Sequence, residues 1–185
     1  MRYFLSMIAD SSALDMGILF LRLVVGITMA AHGFQKFFGK GGIGQVAAWF
    51  DSIGMKPGRF NAIMAASTET AAGIALALGL FTPLAAAAYV ALMVVAVWTV
   101  HRHGFFATKG GWEYNLVLGA AAVTVATLGA GHLSADHVLF TGTGIAGLLC
   151  GWAGLLIAVL LGVAGAVGQL AIFFRPPAPT AGSED

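Results

Sequence analysis

Long apolar runs alternate with short polar punctuation along this chain, and the runs have the length a bilayer demands. A helix rises about 1.5 Å per residue, so crossing a hydrocarbon core of about 30 Å takes roughly 20 mostly apolar residues. Stretches 14–38, 60–81, 84–101, 112–128 and 144–174 each read as such a span. Thr82-Pro83 separates the second from the third, and proline suits the first turn of the helix that follows. His101-Arg102-His103-Gly104 and Lys109-Gly110-Gly111 mark the loop between the third and the fourth. Stretch 144–174 has no charge and is longer than one upright span requires, so it either tilts or lays its C-terminal part in the interface. Pro176-Pro177 stops it, and the tail to Asp185 reads as a short disordered end. Asp10 and Asp15 introduce the first run, and no small-residue cleavage site ends it. That favours a retained helix over a secretory signal peptide.

The pattern therefore predicts an all-α, polytopic transmembrane helix bundle. Its divisions are an N-terminal segment over 1–13, a membrane core over 14–140, an additional transmembrane helix within 141–175 and a tail over 176–185.

Composition agrees and excludes other classes. Of 185 residues, 59% are hydrophobic and only 9% charged, against about 25% charged in soluble domains. A net charge of +1 leaves no basic face for nucleic acid, so the expected surrounding is the lipid bilayer. The cations Lys36, Lys40, Lys56, Arg59, Arg102, Lys109 and Arg175 fall on one side of the predicted topology, and Arg2 alone on the other. The positive-inside tendency then predicts a multi-pass plasma-membrane protein with the N-terminus outside and the C-terminus cytoplasmic.

The few ionisable groups inside the spans are the candidate chemistry, because each costs roughly 2.5–3.5 kcal/mol at membrane depth unless it is paired. Arg22 and Glu69 sit at similar depths in the first two, antiparallel spans. An Arg22–Glu69 ion pair is expected, serving either as a structural tie or in a proton or ligand role. His32 and Lys36 are four residues apart and share a helix face. With His101 and Glu113 from the same membrane side they are expected to line a polar pocket at headgroup level, flanked by Trp112 and Tyr114. Against this stands the plainer account, in which Lys36 snorkels, Glu113 complements a helix N-terminus and the histidines are satisfied interface residues.

Other features carry weaker signals. His132, Asp136 and His137 in the opposite loop fall short of a convergent metal set. His32 and His101 lack the second histidine pair or attachment motif of a haem site, so neither metal nor haem is expected. Cys150 is the one cysteine, which rules out an intramolecular dithiol relay in this chain, and its place in an apolar run predicts an inert core thiol. Gly147, Gly151, Gly154, Ala158 and Gly162 form a small-residue ridge suited to close helix packing, within the bundle or against a partner subunit.

Several of these residues fall into an ordered pattern. Arg22…Gly26, His32-Gly33-x-x-Lys36, Glu69-x-x-x-Gly73 and Gly79-Leu80-Phe81-Thr82-Pro83 come first. Then follow His101 with Gly104, Gly110-Gly111-Trp112-Glu113-Tyr114 and Gly129-x-Gly131-x-x-Ser134-x-Asp136. In their order and spacing, over about 16–140, the chain resembles the DoxX family of small integral membrane proteins. The resemblance implies a four-helix DoxX-like membrane core, with the fifth helix as an extension. It also implies association with redox systems, since the family takes its name from a subunit of a thiosulfate:quinone oxidoreductase. Some relatives are linked to thiol and oxidative-stress complexes. The expected function is thus a membrane subunit of an oxidoreductase system, quinone-linked or acting in thiol or sulfur redox, with quinone the cofactor to be considered. The alternatives are a non-catalytic scaffold docking soluble redox partners through 39–44, Trp49 and Phe50, and a small-solute transporter. No inverted repeat supports the transporter.

Overall fold

A computed structural model describes residues 11–176. The expectations for the N-terminal residues 1–10 and for 177–185 lie outside the described residues. Helix α1 spans Ser11–Phe38, α2 Gly42–Ser52, α3 Gly58–Leu78 and α4 Thr82–Thr99. After a 3-10 turn at Ala107–Lys109 come α5 at Glu113–Leu128 and α6 at Ala135–Phe140. Helix α7 runs through Gly151–Phe173. The described residues form a helical bundle without strands, as the sequence pattern predicts. Long helices α1, α3, α4, α5 and α7 account for the five apolar stretches.

Helices α1, α4 and α7 are long and apolar enough to cross a bilayer on their own. Helix α3 has 21 residues but carries polar ones, two of which turn inward: Asn61 is fully buried and the Glu69 side chain is 13% exposed. Helix α5 is shorter, at 16 residues. Outward positions are apolar, Phe20 being 71% and Val117 63% exposed. Such a surface belongs against lipid.

The last apolar stretch differs from its prediction in detail. Its first residues, 144–150, form turns, including a 3-10 turn at Ala146–Leu148. Gly151, at φ +61°, then starts α7. The helix is 23 residues long and continuous, long and apolar enough for a single span. Cys150 is correspondingly not a core residue: it is exposed at the N-terminal boundary of α7. The small-residue ridge holds only from Gly154 onward. A methyl on Gly154 would strike the Ala126 carbonyl, and one on Gly162 would sit 2.7 Å from the Ala87 carbonyl. Ala158 between them and Ala166 one turn beyond Gly162 are fully buried. Gly147 and Gly151 have no neighbour within 4 Å of a would-be methyl, so they take no part in it. Residues spaced by four drift around a 3.6-residue helix; the wider π turn at Ile157–Leu161 takes up part of that drift and keeps the ridge facing α4 and α5.

The most extensive close contact in the bundle is between α1 and α3. A methyl on Gly26 would lie 2.6 Å from the Gly73 carbonyl, one on Gly73 2.6 Å from the Gly26 carbonyl, and one on Gly33 2.6 Å from the Ala66 carbonyl. With no side chains between them, the two antiparallel backbones touch. Tyr89 of α4 locks onto this pair, its hydroxyl donating to the Val25 carbonyl at 2.9 Å. Val25, Met29, Leu76, Ala86, Ala122 and Val125 join α1, α3, α4 and α5 in one apolar core.

At the far end the chain is laced together by backbone. The Lys56 amide donates to the Phe173 carbonyl at 2.9 Å, and the Arg175 amide to the Gly54 carbonyl at 2.7 Å. The end of α7 is thereby fastened to the α2–α3 loop around the fully buried Met55.

Gly26→Ala is expected to destabilise the purified protein by about 1–3 kcal/mol, because the added methyl overpacks backbone that cannot yield. Gly17→Ala, on the same helix with nothing within 4 Å, is the matched control and should leave the unfolding midpoint unchanged or slightly raised. Thermal unfolding in one detergent measures both.

Candidate functional site

At the end of the bundle bearing Lys36 and His101, the helices do not fill the space between them. A cavity of about 220 Å³ remains, with walls from all five long helices and from α2. Helix α1 contributes His32 and Lys36, one turn apart; α3 contributes Glu69; α5 contributes Tyr114 and Asn115; α7 contributes Gln169. Thr99 of α4 and His101 just beyond it complete the polar lining, and Trp49, Phe50 and Ile53 close the side next to α2.

Local backbone explains these placements. Gly41 and Gly42, at φ +80° and +49°, turn the chain sharply after α1, so that α2 lies against α1 and α3. The Gly58 amide then donates to the Asp51 carboxylate at 2.8 Å, holding the end of α2 to the start of α3. Beyond α4, the amides of Val100 and His101 both reach back to the Ala96 carbonyl, at 2.9 and 3.1 Å. That closure brings the His101 side chain to the cavity.

The cavity's principal charge pair is Lys36 with Glu69, Nζ to Oε2 at 2.5 Å, with the side chains 23% and 13% exposed. The expected Arg22–Glu69 pair does not exist. The glycine contact sets the α1–α3 register, putting Arg22 level with Ala77 and Gly79, and Lys36 level with Glu69. Arg22 and Lys36 are fourteen residues apart on one helix, about 21 Å at 1.5 Å per residue. Counting depth from the two span starts missed this because helix ends do not fix register; close contacts do.

Arg22 instead belongs to the opposite end. Fully buried, it donates from Nη2 to the Leu133 carbonyl at 2.6 Å and from Nη1 to the Ala77 carbonyl at 3.4 Å. Asp136 supplies the opposing charge. That carboxylate accepts the amides of Phe81 at 2.6 Å and Thr82 at 2.9 Å, at the start of α4, where a helix N-terminus favours an anion. On the same side, Asp15 accepts the His132 amide at 3.0 Å and pairs with its ring at 2.6 Å. His137 stacks edge-on to His132 with ring centroids 4.7 Å apart. Among the described residues, no group of three His, Cys, Asp or Glu side chains converges on a metal position. Asp136 is already committed to the backbone.

Of the six predicted site residues, the structure thus gathers His32, Lys36, Glu69 and His101 around one space. Arg22 lies elsewhere. Glu113 stands in the first turn of α5 and is absent from the cavity wall, which Tyr114 and Asn115 occupy instead. Phe50, expected on a docking surface, is buried and faces the cavity. Asn115, Met93 and Gln169 were missed because they are uncharged. Asn115 and Gln169 had a usable signal, as amides inside apolar runs carry the same burial argument as charges, at lower cost.

The charged groups of the cavity satisfy each other, and one ring nitrogen of its lining does not find a partner. His101 Nδ1 is buried and has no hydrogen-bond partner. The His32 and Tyr114 rings lie 6.5 Å apart, tilted by 60°. An orphaned buried nitrogen beside an open space is the place for a ligand atom.

Residues 17–102 match the DoxX family model. The chain is also similar to a protein of Bacillus subtilis (strain 168) named "Putative oxidoreductase CatD", with 29% identity over 132 residues, covering 71% of this chain and 93% of that protein. No solved structure matches the chain significantly.

Lys36→Met and Glu69→Leu are each expected to lower stability by leaving the partner charge alone in a mostly buried site, while the double substitution recovers about 1–3 kcal/mol of the summed loss. A double-mutant cycle by thermal unfolding measures this, and strictly additive losses would show that the pair is uncoupled. Asp136→Ala should cost about 3 kcal/mol or more, since it strands Arg22 and two buried amides together.

Proposed function

With residues 17–102 forming a DoxX domain in a helical membrane protein, we propose that this chain is the membrane subunit of an oxidoreductase system. Its cavity holds the polar, redox-active part of a small molecule, either a quinone ring or a small sulfur anion. The observation that carries the reading is the unpartnered, buried His101 Nδ1 in a cavity whose other wall bears the Lys36–Glu69 pair. The name of the similar Bacillus subtilis protein supports a redox setting.

His32 and His101 offer ring nitrogens that can donate or accept, Lys36 brings a cation, and Tyr114 and Asn115 add donors. A quinone becoming a quinol takes up two electrons and two protons. In this reading a partner oxidoreductase supplies the electrons, and the residues of this cavity position the ring and pass the protons. The end of the bundle holding the cavity also carries Lys40, Lys56, Arg59, Arg102, Lys109 and Arg175, so it faces the cytoplasm, where a soluble partner has access, with the N-terminus outside.

In membranes from cells lacking the native protein, His101→Ala and Glu69→Gln should each reduce quinone- or sulfur-linked oxidoreductase turnover at least tenfold. His132→Ala, at the other end, should leave it intact. Full turnover in both cavity variants, with the protein present at normal level, would remove the cavity from the function.

A further inference from the structure

The backbone strap between α7 and the α2–α3 loop sets two cations side by side. The Lys56 amide donates to the Phe173 carbonyl and the Arg175 amide to the Gly54 carbonyl, which makes Met55 and Phe174 an opposed antiparallel pair. Side chains alternate between the two faces of such a pair. Met55 faces inward and is fully buried. Lys56 and Arg175 therefore face outward together, both exposed, and as diagonal neighbours they lie about 7–8 Å apart. Arg59, in the first turn of α3, adds a third exposed cation.

The fold does not neutralise this group. Among the described residues, no carboxylate forms an ion pair with any of the three. Asp51 stands nearby, with one oxygen accepting the Gly58 amide at 2.8 Å. Arg175 spends Nη1 on the Ala171 and Phe174 carbonyls, at 3.4 and 2.8 Å, and its Nε and Nη2 have no partner among the described residues. The Arg59 and Phe60 amides likewise have no acceptor there, at the helix end where the dipole attracts an anion. Backbone bonds thus hold like charges close together, and an anion seated among them relieves the repulsion.

Beside the cations lies an apolar step. The rings of Phe60 and Phe173 are in contact, with centroids 5.2 Å apart, and Phe60 is half exposed on the outer surface. Helix α3 begins and α7 ends at this level, so the cluster stands where hydrocarbon gives way to headgroups. We propose that Lys56, Arg59 and Arg175 bind the phosphate of one anionic phospholipid, whose acyl chains lie against Phe60 and Phe173. A guanidinium fork and an ammonium are the donors that suit a phosphate. A zwitterionic lipid brings a cation of its own to a site already positive, which favours the anionic headgroup. The seated lipid spans both sides of the strap and holds the end of α7 in place. Gln169, one turn before Phe173, lines the cavity, so that wall is steadied whatever the cavity binds.

Native mass spectrometry of the full chain, delipidated and then titrated with phosphatidylglycerol or phosphatidylcholine, reads the site. The wild type should hold one phosphatidylglycerol at least tenfold more tightly than phosphatidylcholine. Lys56→Gln combined with Arg175→Gln should remove that preference. Lys40→Gln combined with Lys109→Gln takes the same charge from the same end of the bundle and should keep it. Phosphatidylglycerol should also raise the thermal unfolding midpoint of the wild type and not that of the Lys56→Gln, Arg175→Gln protein. Should that protein fail to fold, Lys56→Gln alone, at an exposed position outside the helices, should still weaken phosphatidylglycerol binding at least threefold.

Equal affinity of the wild type for the two lipids would overturn the site and leave its cations to an acidic protein. Equal losses in the two double variants would show attraction by net charge alone, and would overturn it too. Displacement of the lipid by inorganic phosphate at matched concentration would make the occupant a free anion and overturn the lipid assignment.

Discussion

Two antiparallel backbones in contact decide most of this molecule. Where Gly26 and Gly33 of α1 meet Gly73 and the Ala66 carbonyl of α3, no side chain separates the helices, and neither can slide by a turn without collision. Close packing of small residues is the main attraction between helices in lipid, where apolar side chains gain little from each other that they do not gain from acyl chains. The glycine seam therefore supplies both adhesion and register. Register in turn sets which charges meet. Lys36 finds Glu69 at one end, while Arg22 is carried to the other, beside Gly79 and Leu133.

The two polar ends answer the cost of buried charge in opposite ways. Around Arg22 and Asp136, the charges are spent on backbone: the guanidinium on two carbonyls, the carboxylate on two amides. Among the described residues, Arg22 Nε and the Thr82 hydroxyl lack partners there. Such a network ties the α3–α4 turn to the segment after α5. Around Lys36 and Glu69 the charges satisfy each other, and the neighbouring histidine, tyrosine and amide side chains look onto space. Burial alone made Arg22 and Lys36 equally conspicuous; their partners separate a structural cation from one suited to binding.

The helices themselves were plain from periods of apolar residues and from Pro83, because chain length and hydropathy in a membrane act locally. The start of α7 was not, since Gly144 to Cys150 are as apolar as the helix they precede and only the positive φ of Gly151 marks the break. His32, Lys36 and His101 could be placed together from sequence because each lies at the same end of its helix. The Arg22 pairing was beyond reach, because it depends on which glycines interlock. Asn115, Gln169 and Met93 were overlooked for chemical reasons: amides and thioethers carry no formal charge to draw attention, yet they shape the cavity as much as the histidines do.

The strap of backbone bonds between the end of α7 and the α2–α3 loop bears on how the protein is made. Helices α1 to α5 leave the ribosome first, and most of the cavity's polar groups are present once α5 has entered the membrane. Gln169 arrives only with α7, as do the Phe173 carbonyl and Arg175 amide that hold residues 54–56 in place. The last described helix is thus a closing piece. During biosynthesis the site stays unsealed until it docks, so the cavity is finished only in a fully inserted chain.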